Sequence, residues 1–131
     1  MIRAGAHLED GYRAALAYFG SVAPDARPTA VTCFNDLVAL GVCRALAERG
    51  LRVPTDVAVV GYDDIPLLEY LPVPLTSVRV PTFEMGRLAA ELLLRHVEGG
   101  PSVPTQKIYL DAELVVRRST APPGGAAERA G

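Results

Sequence analysis

Thr29-Ala30-Val31-Thr32-Cys33-Phe34-Asn35-Asp36 and, after an intervening helical stretch, Val57-Ala58-Val59-Val60-Gly61-Tyr62-Asp63-Asp64 are the segments from which the architecture follows. Thr29 to Phe34 is a short apolar run with the character of a strand. Asn35-Asp36 supplies side-chain oxygens of the kind that begin a helix. Helical spacing then continues to Arg49, and Gly50 takes the position just past its end. Val57 to Val60 is apolar without alternation, which suits a parallel strand covered on both faces. Strand, helix and strand in that order make a βαβ unit with a right-handed crossover, so the fold class expected is α/β.

Working outward, Leu8 to Phe19 places Tyr12, Ala15, Leu16 and Phe19 on one side of a helix, with Gly20 as its stop. Downstream of Asp64, Pro66, Pro72 and Pro74 break the chain before a short strand, Thr76 to Val80. Pro81 and Thr82 open a third helix over 82–98, with a stripe of Phe83, Met85, Leu88, Ala89, Leu92, Leu93 and Val97 and a stop at Gly99-Gly100-Pro101. Ile108, Leu110, Ala112, Leu114 and Val116 alternate with polar residues, the period of a strand with one wetter face. Arg117-Arg118 reads as a solvated strand end. From Ser119 onward the small residues, prolines and glycines indicate a flexible tail.

The 131 residues suffice for one core, and with half of them hydrophobic and 21% charged the chain is globular. Thirteen Lys and Arg are interspersed with 15 Asp and Glu for a net charge of −2, so no basic face for nucleic acid is evident. The start has no apolar run like a signal peptide, and no stretch reaches transmembrane length, so a cytoplasmic setting and no membrane partner are expected. Cys33 and Cys43 fit no metal spacing and read as buried free thiols.

In an open α/β sheet a ligand meets the carboxyl ends of the parallel strands. Asn35-Asp36 follows the first of these strands and Asp63-Asp64 the second. An amide offers a donor and an acceptor, and an ionised carboxylate accepts from two hydroxyls at once, which together suit a sugar or nucleoside. Asn35 or Asp36 as a helix cap, and Asp64 as a cap on the turn before Pro66, are the plainer alternatives. A magnesium site at Asp63-Asp64 would want a phosphate-cradling glycine loop, and none is present. His7 and His96 lack a Ser or Cys partner in sequence. No catalytic residue, metal or cofactor is therefore expected, and the chain is read as a non-enzyme.

Five segments together resemble one family. Val31 to Gly41 is similar to the "(A/F)xNDxxAxG" of the lactose/galactose repressor (LacI/GalR) family of transcription regulators. Gly50 to Asp64 resembles its "G(L/R)xVPxDxxVxG(Y/F)DD", and Pro74 to Val78 its "PxLT(S/T)(V/I)". Met85-Gly86 falls at its helical glycine, and Leu114 to Thr120 resembles its closing "LxxRxST". The resemblance runs from about Gly11 to Thr120. It implies a periplasmic-binding-protein-like fold of two lobes with a small-molecule effector, of the carbohydrate class, in the cleft between them.

On that resemblance Asn35 and Asp63 match effector-binding positions, Asp36 stays mainly a cap, and Leu40 and Leu71 fall on the dimer face. Residues 1–78 would be an incomplete C-terminal effector-binding lobe. Residues 79–118 would be a crossover strand, helix and return strand belonging partly to the other lobe, and residues 119–131 a tail. The helix-turn-helix, through which alone operator DNA would be bound, and the first half of the effector-binding region are absent from these residues. Before Gly11, where relatives often carry a stacking aromatic, there is only His7, and Val80 stands where some place a polar contact. The isolated chain is expected to bind effector poorly and to form a homodimer or larger assembly that covers helix 82–98. A periplasmic-type sugar-binding protein is the alternative with the same fold.

Overall fold

A computed structural model describes residues 1–99 and 104–120. Helix α1 spans Leu8–Ser21, strand β1 Ala30–Thr32, helix α2 Asp36–Glu48, strand β2 Ala58–Asp63, strand β3 Thr76–Arg79, helix α3 Thr82–Gly99 and strand β4 Glu113–Val115. A short 3-10 turn, Pro66–Tyr70, joins β2 to β3. The sheet order is β1-β2-β3-β4, with β1, β2 and β3 parallel and β4 antiparallel to β3. The expected βαβ unit is therefore present, and a second parallel connection follows it.

The core lies between the sheet and the α1–α2 pair. Ala15 and Phe19 of α1, Val38, Ala39, Val42, Ala45 and Leu46 of α2, and Val57 and Val59 of the second strand segment are buried together with Leu68 and Leu75. The two helices approach closely because glycine lies on both sides of the contact. A Cβ on Gly41 would stand 2.0 Å from the Leu8 carbonyl oxygen, and one on Gly11 would stand 2.3 Å from that of Val38. At the rim, Tyr12 donates its hydroxyl to Glu48 at 2.7 Å while Arg44 lies over its ring.

Two of the expected elements have other bounds. Helix α1 continues through Gly20 to Ser21, its C-cap amide of Val22 returning to the Tyr18 carbonyl. Only Glu113–Val115 of the alternating run Ile108–Val116 is strand, because its partner β3 ends at Arg79 and Pro81 turns the chain into α3. The boundary drawn at residue 78 falls inside β3, and β4 returns to the same sheet. Helix α3, with no buried residue, and residues 104–112 stand outside that sheet.

The largest revision concerns Ser119, read as the start of a tail. It is fully buried and joins two strands. Its hydroxyl donates to the Val59 carbonyl at 2.6 Å and accepts from the Thr76 amide at 2.8 Å. Its own amide donates to the Pro74 carbonyl, and its carbonyl accepts from the Val59 amide. The helix stop at Gly100-Pro101 and the tail from Ala121 onward lie outside the described residues. Ser119→Ala removes the hydroxyl between two buried backbone groups and should lower the unfolding free energy by about 1–3 kcal/mol. Urea denaturation checks this against Ser21→Ala, whose exposed hydroxyl bonds only to the Tyr18 carbonyl and should cost far less.

Candidate functional site

Asn35 and Asp63 stand at equivalent places on neighbouring strands. Thr32 pairs with Val60, and each candidate lies three residues beyond its member of that pair. Both therefore overhang the carboxyl end of the parallel sheet, where a ligand is met in this class of fold.

Asn35 caps α2. Its extended backbone lets Oδ1 accept from the Val38 amide at 2.8 Å, while Nδ2 donates to the Ala6 carbonyl at 2.9 Å. Each end of the amide keeps one further hydrogen-bonding position, so capping leaves a donor and an acceptor for a ligand. Asp36, read as a cap, is something else. It is fully buried, and its carboxylate accepts from the Ser77 hydroxyl at 2.6 Å and from the Ile65 amide at 2.9 Å. Capping preference does not separate Asn from Asp. Asn35 adopts the extended backbone of a cap residue, and Asp36 falls inside the first turn, facing β3.

Asp63 ends β2 with φ 107, and Asp64 follows with φ 56. Left-handed backbone at two consecutive non-glycine residues costs on the order of 1–3 kcal/mol each and clusters where function holds it in place. The two side chains part company. Asp63 is exposed, and partial burial at its turn, together with the negative charge of Asp36 behind it, pushes its carboxyl above the ordinary value. Asp64, read as a turn cap, has a side chain only 3% exposed and is gripped by Arg117 at 2.6 Å and Arg79 at 2.7 Å. Burial alone would raise its carboxyl, but hydrogen bonds from Arg117 and then Arg79 outweigh that and hold it below the usual value.

Arg117 is thus no solvated strand end. Its side chain is 11% exposed and also reaches Glu69 and the Leu75 carbonyl. Neither Arg117 nor Ser77 could be picked out as a site residue from the chain alone, since their partners lie 53 and 41 positions away. The "DD" and the "R" of the quoted segments were the available signal.

Leu40 and Leu71 come together in one groove of about 630 Å³, lined also by Cys43, Ala47, Val53 and Val73. Val80 lines a separate trough of about 420 Å³ with Tyr62, Met85, Leu92 and Ile108. Cys33 and Cys43 are free and half-buried, and burial pushes their thiols up to about 12 and about 11, so both stay protonated. Among the described residues no group of three or more His, Cys, Asp or Glu is placed to hold a metal ion. No helix among them is long and apolar enough to cross a membrane.

Residues 2–120 match the family of the periplasmic binding protein-like domain. The chain belongs to that family. Its relatives are LacI-type transcription regulators. The regulator MalR of Streptomyces coelicolor is 45% identical over 114 residues, covering 87% of this chain and 31% of that protein. The repressor PurR of Vibrio campbellii is 46% identical over 107 residues, covering 81% and 31%. Among solved structures, a LacI family regulator from Enterococcus faecalis with bound ribose superposes with a TM-score of 0.81 at 32% identity, over 92% of this chain and 43% of that one. A regulator from Arthrobacter in complex with lactose gives 0.76 at 37% identity, over 90% and 43%. The chain spans about a third of the length of the curated relatives it matches.

The Asp64 clasp makes a pH-dependent contribution to the stability of this periplasmic-binding-protein-like domain. A carboxyl lowered on folding adds stability above its unfolded value, near 3.8, and loses it as pH falls through the lower folded value. Asp64→Asn should therefore be less stable than the parent at neutral pH, and the gap should close as the pH falls below about 4. Urea midpoints across that range test this. A gap that stays constant into strong acid contradicts it.

Proposed function

We propose that this chain is one wall of the effector-binding cleft of a LacI-type transcription regulator, and that it takes a neutral, polyhydroxylated ligand of the sugar or nucleoside kind. The observation that carries the reading is Asp63. An exposed carboxylate is held at a costly backbone angle beyond the end of a parallel sheet, while its neighbour Asp64 is wholly committed to arginines. In this reading Asp63 accepts two ligand hydroxyls, and Asn35 adds the free positions of its capped amide. The ribose and lactose bound to the structural neighbours support a carbohydrate over an anionic ligand.

The chain senses rather than catalyses, works in the cytoplasm, and reaches operator DNA only through a segment outside these residues. Its cleft is completed by a second lobe facing α3. Leu40 and Leu71, in their shared apolar groove, contribute to a homodimer contact. The match to regulators over nearly the whole chain favours this reading over a periplasmic sugar-binding protein.

A single wall buries only part of a ligand, so binding to this chain should be weak, in the millimolar range, and visible by NMR. Titrating the 15N-labelled chain with D-ribose, lactose or sucrose should shift amides at Tyr62–Ile65 and Asn35–Leu37. Asp63→Asn keeps the shape but loses the charge assistance, and should weaken the responding sugar roughly tenfold. Silence at residues 61–65 with every sugar, or equal affinity in Asp63→Asn, contradicts the proposal.

A further inference from the structure

The turn that directs Asp63 is held from two sides. On the inner side the Asp64 amide donates to Ser77 Oγ at 3.1 Å and the Ile65 amide to Asp36. Those partners are buried between α2 and β3 and serve the packing there whichever way Asp63 points. On the outer side, among the described residues, the two arginines hold the Asp64 carboxylate. Arg79 is half exposed and shares its guanidinium with Glu113 at 3.5 Å. Arg117 is anchored at both ends. Its backbone amide donates to Thr76 Oγ1 at 2.8 Å, and its guanidinium divides between Asp64, the Leu75 carbonyl and Glu69.

Consecutive left-handed residues persist only where the surroundings over-determine them. The inner hydrogen bonds hold the peptides on either side of Asp64, and the Asp63 backbone pairs with Arg79 in the sheet, but none of them holds the Asp64 side chain. A carboxylate at Asp64 pulled outward and pinned to a guanidinium adds that further hold, from the side opposite Ser77 and Asp36. We infer that Arg117 is a positioning residue. Through its ion pair with Asp64 it keeps the backbone at 63–64 left-handed, and so aims the Asp63 carboxylate past the end of the sheet, toward the ligand of the reading proposed above. The inference rests on that reading for its ligand, and on the backbone alone for its geometry.

The test uses the 131-residue chain with two variants. Asp64→Asn with Arg117→Gln is neutral and leaves no buried charge alone, while Arg117→Lys keeps the charge but loses the planar fork. The readouts are φ at Asp63, from three-bond couplings to its amide proton and Cβ, and affinity for D-ribose and lactose by amide shifts. The double variant should keep the amide pattern of α1 and α2. Its φ at residue 63 should move to negative values, and sugar affinity should fall by roughly tenfold or more. Arg117→Lys should keep φ positive and restore most of the affinity. A double variant with positive φ and parental affinity overturns the inference, as does Arg117→Lys behaving like the double variant. A parent chain silent to both sugars contradicts the function proposed above. The φ readout then decides the positioning alone, with unchanged φ in the double variant overturning it.

Discussion

The carboxylate of Asp36 is shut away from water in the first turn of α2, and the rest of the structure is arranged around satisfying it. Burying such a group is unfavourable by several kcal/mol unless hydrogen bonds replace its water. Here Ser77 on β3 and the Ile65 amide after β2 do so, which joins helix, strand and loop at one point. The same oxygens explain Gly61. A Cβ there would lie 2.1 Å from Asp36 Oδ1, so any larger residue would displace the carboxylate from its partners. The "ND" and "GYDD" segments thus meet in space through one contact, with the acid of the first resting on the glycine of the second.

From that point the electrostatics divide three neighbouring acids among three tasks. Asp36 is held by neutral donors inside the fold. Asp64 is gripped by two arginines, from the strand that leaves toward α3 and from the segment that returns after β4. Asp63 alone remains open to solvent, next to residual negative charge. Such a site favours hydroxyl donors and disfavours anions, which is why a neutral polyol is the ligand class proposed.

The βαβ core was legible in the chain because burial on both faces writes Val57–Val60 as an unbroken apolar run, and because Asn35 and Gly50 bracket α2 with the residues that helix ends require. Both ligand candidates could be named for the same reason, since strand ends and a capping residue are local features. What was not legible is long-range. Ser119 looked like a tail because its neighbours are small, yet its partner Val59 lies 60 positions upstream. Arg117 looked solvated because nothing nearby in sequence explains it. The strand expected over Ile108–Val116 was overextended because alternation reports a wet face and a dry one, while pairing also needs a partner, and β3 supplies only four residues. The stripe on α3 marked a helix correctly but gave no sign of what it faces.

The central claim is that Asp63 is the open carboxylate to which a ligand's hydroxyls donate. The most direct measurement is a pH titration of its carboxyl carbon by NMR, without and with D-ribose or lactose. The free chain should titrate above the ordinary value of 3.8, because burial and Asp36 disfavour its charge. Hydroxyls that donate to the carboxylate favour the charged form, so a bound sugar should move the midpoint down. A midpoint at the ordinary value that neither sugar moves would contradict the account.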